Sequence, residues 1–200
     1  MFNIITPATS GFASNTYVIA SSGECAVIDP TVPYSDTLVS GRLKYIFITH
    51  AHFDHILEVD TWRAATGAPV YVSLADRDAL RDPVRNCYKL FFGTDGGYFG
   101  EAEIMREGDV FDIGDETLTV METPGHTVGS VILFNSEVAF VGDTVFAGGG
   151  YGRWDLPGGD YDALRGSIKS VMALDGGIRL YPGHGGSTTV REFNNDVHLR

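Results

Sequence analysis

The string Thr49-His50-Ala51-His52-Phe53-Asp54-His55 constrains this chain more than any other feature. It closes Lys44–Thr49, a short apolar, β-branched and aromatic run that reads as a strand. Alternate side chains of extended backbone share a side, so His50 and His52 point the same way and two imidazoles can grip one metal. Asp54 and His55 are then expected to begin a helix and turn towards a second ion. A plain polar turn of solvated histidines is a poor account of three imidazoles and a carboxylate packed so closely.

Five of the six histidines fall in three places, each after an expected strand. The other two places are Thr123-Pro124-Gly125-His126 and Tyr181-Pro182-Gly183-His184, where a strand ends, Pro-Gly turns the chain and a histidine is presented. Asp143 follows Val141-Gly142 at another strand end, with Gly142 allowing close approach. Grouped by position, His50, His52 and His126 form one three-imidazole site. Asp54, His55 and His184 form a second, and Asp143 can bridge the two. Nitrogen and carboxylate ligands without thiolate suit zinc first, with iron or manganese as further choices, and they leave positions open for water. Two such ions about 3.5–4 Å apart can share a hydroxide and bring the pKa of its parent water from 15.7 towards ~7. The catalytic assignment therefore falls on that hydroxide with Asp54 and Asp143. His198 lies outside the pattern and reads as a surface residue.

Composition narrows the partners. Fourteen basic and 26 acidic side chains give a net charge of −12, which disfavours nucleic acid because phosphate binding relies on clustered Lys and Arg. Cys25 and Cys87 form neither a CxxC pair nor a disulfide framework, which fits a reducing compartment. Met1 to Pro7 has no signal-peptide pattern, and no apolar run approaches the ~18 residues of a membrane span. The expectation is a cytoplasmic protein, monomer or homodimer, with no membrane partner.

Ile4-Ile5, Thr16–Ala20 and Cys25–Asp29 read as early strands, the last two joined through Ser21-Ser22-Gly23. Only a helical turn or two fits between Asp29 and Lys44. Ile56–Ala65 has helical spacing and stops at Gly67; Val70–Ser73 is a strand and Leu74–Arg81 a short helix. The aromatic stretch Pro83–Gly100, with Tyr88, Phe91, Phe92, Tyr98 and Phe99, suits a pocket wall, a cap, a dimer contact or ordinary packing. Asp109–Ile113, Thr117–Glu122, Ser130–Phe134 and Glu137–Val141 follow as strands. Tyr161–Leu174 is an amphipathic helix, Ile178–Tyr181 a last strand and Thr188–Asn194 a last helix. Two packed sheets with helices outside, in one α/β sandwich domain over residues 1–200, satisfy this order.

The whole set, from Thr49 to His184, resembles the metallo-β-lactamase superfamily, and Asn15-Thr16-Tyr17 resembles its second strand. The runs Gly142–Gly148 and Gly152–Gly159 are similar to those of the hydroxyacylglutathione hydrolases (glyoxalase II). The resemblance implies a four-layer αββα sandwich with two metals at one edge of the sheets. It also implies hydrolysis of a thioester of the S-2-hydroxyacylglutathione type. The expected form is the short, single-domain one, lacking the C-terminal helical domain of full-length glyoxalase II. Arg153 resembles the position that holds a substrate carboxylate, a task suited to a bidentate guanidinium; pairing with Asp155 is the alternative.

A thioester suits such a centre because its thiolate, of pKa near ~8.5, leaves with little help, whereas an amine needs a proton donor. Two other readings share the ligand pattern. One is an iron persulfide dioxygenase using His50, His126 and Asp143 as a facial triad. The other is a lactone or ester hydrolase. A closed, purely structural metal site fits less well, since such sites are normally completed by four protein ligands.

Overall fold

The computed structural model describes residues 1–199. Two six-stranded sheets face each other. The first holds β1 (Asn3–Ile5), β2 (Tyr17–Ser21), β3 (Glu24–Ile28), β4 (Arg42–Phe47), β5 (Val70–Ser73) and β6 (Glu103–Met105) in spatial order. Its first three strands run antiparallel, and β3 to β6 pair in parallel. The second sheet is an antiparallel meander of β7 (Val110–Ile113), β8 (Glu116–Glu122), β9 (Val131–Phe134) and β10 (Val138–Gly142). It is extended by β11 (Arg179–Pro182), parallel to β10, and by β12 (Thr188–Thr189).

Among the described residues four α-helices flank the sheets: α1 (Val59–Thr66), α2 (Tyr88–Phe92), α3 (Tyr161–Met172) and α4 (Val190–Asp196). Strand alternation explains the layering. In β4 and its extension, Phe47 faces the second sheet while Ile46 and Ile48 face the layer that holds Trp62 of α1. In β10, Val138 and Phe140 face the first sheet while Ala139 and Val141 meet Leu164 and Ile168 of α3 and Phe193 of α4. Strands buried on both faces read as continuous apolar runs, as Lys44–Thr49 and Glu137–Val141 do. The result is the αββα sandwich, with three apolar layers between its four tiers.

Helix ends follow local chemistry. Asp160 caps α3 by accepting from Ala163 N–H, Thr189 and Glu192 form a capping box on α4, and Gly67 ends α1 at φ 68°.

Several expectations need correction. Phe53–His55 forms a separate 3₁₀ turn, so Asp54 and His55 do not begin a helix, and α1 starts only at Val59. The loop is held in place because Phe53 N–H donates to the Asn86 carbonyl at 2.9 Å and Ala51 N–H to Asp76 at 2.9 Å. Leu74–Arg81 shrinks to a 3₁₀ turn at Asp78–Arg81, since Asp76 turns inward to those partners. Strand β6 had no counterpart in the sequence reading. Thr188 and Thr189 join the sheet edge before α4 begins. In agreement with the sequence, Asp29 to Lys44 holds a single 3₁₀ turn, Asp36–Leu38. His198 is exposed. Among the described residues no helix is long and apolar enough to cross a membrane.

Candidate metal centre

Parallel packing of β10 against β11 and the sheet-on-sheet contact bring the chain turns after β4, β8, β10 and β11 to one edge of the sandwich. These turns carry His50 to His55, His126, Asp143 and His184. Their ligand atoms form three overlapping groups, each within 4.8 Å: His50, His52 and His126; His50, His55 and Asp143; Asp54, His55 and His184. Asp143 stands between the halves, with Oδ1 3.3 Å from His55 Nε2 and Oδ2 3.6 Å from both His126 Nε2 and His184 Nε2. Asp54 Oδ2 lies 3.1 Å from His184 Nε2. His50, His52, His55 and His126 are buried, while His184 is 40% exposed and forms the open side.

The residues behind the ligands fix which nitrogen faces inward. His126 Nδ1 donates to the Arg153 carbonyl at 2.7 Å, leaving Nε2 as a lone pair. His55 Nδ1 donates to Asp29 Oδ2 at 2.7 Å, so Nε2 is the nitrogen turned inward, towards Asp143 Oδ1. Thr49 Oγ1 donates to Asp29 at 2.7 Å and so accepts from His50 Nδ1 at 3.2 Å. His50 Nε2 and His126 Nε2 therefore face each other as two acceptors 3.2 Å apart, and His52 Nδ1 lies 2.9 Å from the same His126 atom. A cation between the rings would relieve such an arrangement. His52 Nε2, His55 Nε2 and Asp143 Oδ1 are buried without a hydrogen-bond partner, where a buried polar group ordinarily has one. The donor set fits a pair of divalent metals.

The electrostatics agree. Burial and the neighbouring imidazoles push His50 well down, and burial with His126 beside it brings His52 to about 3, so neither accepts the proton that would otherwise separate the rings. Burial opposes charge on His55, yet Asp29 and Asp143 at its two nitrogens hold it well above the ordinary value. Burial likewise opposes ionisation of Asp143, but His55, His126 and His184 keep it below the usual carboxylate range. The Asp54 bond raises His184 against the effect of burial, and the same bond lowers Asp54 although burial works the other way.

Glycine makes the approach possible. A Cβ at Gly183 would stand 2.2 Å from Asp143 Oδ1 and 2.6 Å from His55 Cε1. One at Gly152 would stand 2.1 Å from the Asp143 carbonyl and 2.9 Å from His126 Nδ1.

Sequence reasoning missed the supports. Asp29, in left-handed backbone at φ 49°, holds Thr49 and His55. Asp76 accepts from Ala51 N–H, Thr127 Oγ1 and Gly129 N–H, tying the His50–His55 loop to the turn after His126. Asn15 Nδ2 donates to the Pro182 and Gly185 carbonyls and Tyr17 Oη to Pro182, which holds the turn bearing His184. The Asp29-Pro30 pair at a strand end was the one available hint of a special backbone.

A cavity of about 410 Å³ opens over the centre, within the range of small-molecule sites. Phe12, Phe53, Phe91, Phe146, Tyr151 and Leu156 supply its apolar wall, with Cys87 among them. Burial pushes the Cys87 thiol up to about 11. Arg153 also lines the cavity, but its guanidinium bonds Asp155 twice, Nε to Oδ1 and Nη2 to Oδ2, each at 2.7 Å. Phe91 reaches the cavity, whereas Tyr98 is buried in the core beside Trp62.

The chain belongs to the metallo-beta-lactamase superfamily, whose sequence pattern matches residues 9–184. It is similar to an uncharacterised protein of Mycobacterium tuberculosis at 34% identity, covering 96% of each chain. Its fold is shared by the BLEG-1 B3 metallo-beta-lactamase, with TM-score 0.85 and 31% identity over 98% of this chain and 97% of the other. The protein TTHA1623, solved in a di-iron-bound form, gives TM-score 0.83 and 26% identity over 96% and 98%.

Proposed function

We propose that the chain is a dinuclear metal-dependent hydrolase whose preferred substrate is a thioester. His50, His52 and His126 would hold one divalent ion, Asp54, His55 and His184 the other, with Asp143 shared. Such a pair supplies a hydroxide at neutral pH and a Lewis acid for the carbonyl oxygen. The chain's own part is to hold the ligands. Asp29 and the Arg153 carbonyl keep Nδ1 protonated on His55 and His126, so each presents a lone pair inward.

The observation that carries the thioester is what the cavity lacks. Among the described residues, every carboxyl and imidazole lining it belongs to the candidate ligand set. The remaining proton donors of the wall besides Arg153, the Tyr151 phenol and the Cys87 thiol, are weak acids, and a thiolate leaving group needs no such help. The likeness to a B3 metallo-beta-lactamase makes a β-lactam the comparison to run. Protein reconstituted with zinc, iron or manganese should cleave S-lactoylglutathione or a simple acyl thioester at least about 100-fold faster, in kcat/KM, than it opens a β-lactam. Comparable β-lactam opening would refute the leaving-group argument. Sulfite formed from a persulfide by the iron-loaded protein, without thioester loss, would refute hydrolysis.

A further inference from the structure

We infer that the substrate carries an uncharged apolar arm next to its reactive carbonyl, seated on a ladder of phenylalanine rings that runs from the metal centre to solvent. The inference rests on the acyl-hydrolase reading and names its substrate class. The ladder starts at Phe53, which is buried and adjoins the ligands His52 and Asp54. The Phe91 ring lies 4.9 Å from Phe53, and Phe12 meets Phe91 edge to face at 5.9 Å. On the His184 side, Phe146 lies 6.3 Å from that imidazole. All four rings line the same cavity.

Exposure rises along the ladder: Phe53 is 3% exposed, Phe91 44% and Phe12 64%. Two large apolar rings left open at the mouth of a site are the expected signature of an apolar ligand that covers them. The charge distribution points the same way. Arg153 is the single arginine or lysine among the described residues lining the cavity, and Asp155 takes its Nε and Nη2 donors. A glutathione thioester would bring two carboxylates to a wall whose one guanidinium outside the metal centre is already paired with Asp155, on a protein of net charge −12. A neutral acyl chain or ring has no such need.

The test compares octanoyl and acetyl thioesters of N-acetylcysteamine with S-lactoylglutathione on the metal-loaded enzyme. Alongside it, calorimetry measures binding of the non-hydrolysable S-octyl thioether of N-acetylcysteamine to metal-free protein. The octanoyl compound should exceed both others by at least about tenfold in kcat/KM. Phe91→Ala should cut the octanoyl-to-acetyl ratio about tenfold and weaken the thioether by a similar factor, while Leu90→Ala, outside the cavity, changes neither. A reciprocal acetyl thioester of octanethiol, if preferred instead, places the apolar arm on the leaving side and still supports the ladder. Equal turnover of all compounds, or preference for S-lactoylglutathione, with no thioether binding, overturns the apolar arm and leaves the hydrolase standing. Thioether binding that Phe91→Ala weakens, with no thioester cleaved, supports the ladder and overturns the thioester reading.

Discussion

Replacing Asp29 separates what the support contributes to stability from what it contributes to the metal. The carboxylate is 2% exposed and accepts from Thr49 N–H at 2.8 Å, Thr49 Oγ1 at 2.7 Å and His55 Nδ1 at 2.7 Å. Alanine would strand three buried donors at about 1–3 kcal/mol each, so a loss of roughly 3–6 kcal/mol is expected after partial relaxation. That is a large share of the ~5–15 kcal/mol that holds a domain together. Asparagine is the sharper variant. It tolerates the left-handed φ of 49° and keeps one acceptor, so destabilisation should fall to about 1–2 kcal/mol. Its amide nitrogen takes the place of either Oδ1, facing the Thr49 N–H, or Oδ2, facing both Thr49 Oγ1 and the Nδ1–H of His55, and in both orientations the charge that favours a proton on His55 Nδ1 is gone. Relief by moving the proton to His55 Nε2 removes the lone pair offered to the metal. Asp29→Asn should then bind one of its two ions about 10–100-fold more weakly. Urea unfolding of metal-free protein gives the first quantity, and competition with a chromophoric chelator gives the second. Wild-type affinity for both ions in Asp29→Asn would refute the role of the Asp29 charge in the metal centre.

Three further outcomes are expected. Asp143→Ala should stay folded by circular dichroism yet lose metal and at least about 100-fold in turnover; full activity would contradict the shared-ligand assignment. Gly183→Ala drives a methyl into Asp143 and His55, so metal loss with about 1–3 kcal/mol of destabilisation is expected, readable by metal analysis and denaturation together. In metal-free protein His50 and His52 are held below the ordinary 6.5, so unfolding takes up protons, and stability falls, as pH drops below that value. His55 and His184 are raised, so the stability they contribute is complete below 6.5 and is lost as pH climbs through their shifted values. Urea midpoints should therefore peak near pH 6.5, and a steady rise from about pH 5 to about pH 9 would contradict the shifts.

The candidate ligands were legible because each sits just past a strand end and brings a residue type that polar turns seldom need. The strands were legible because both faces are buried, which leaves unbroken apolar runs such as Val138–Gly142. The supports were not. Asp29 acts on residues 20 and 26 positions away, and Asp76 on residues 25 and 51 away, so each reads locally as one more turn carboxylate. Arg153 illustrates a second limit. Its side chain drew attention as a substrate anchor, yet the contact that reaches the centre is its backbone carbonyl on His126, a group every residue possesses. The misplaced start of α1 has the same origin, since Ile56 keeps helical spacing in sequence but belongs to a loop fastened by Asn86 and Asp76.

The central claim is a metal pair serving hydrolysis, and the most direct test is the metal content of protein purified without added metal, with thioester turnover assayed on the same sample. About two divalent ions per chain with rapid thiol release is the expected result. One iron per chain with no thioester loss would contradict it.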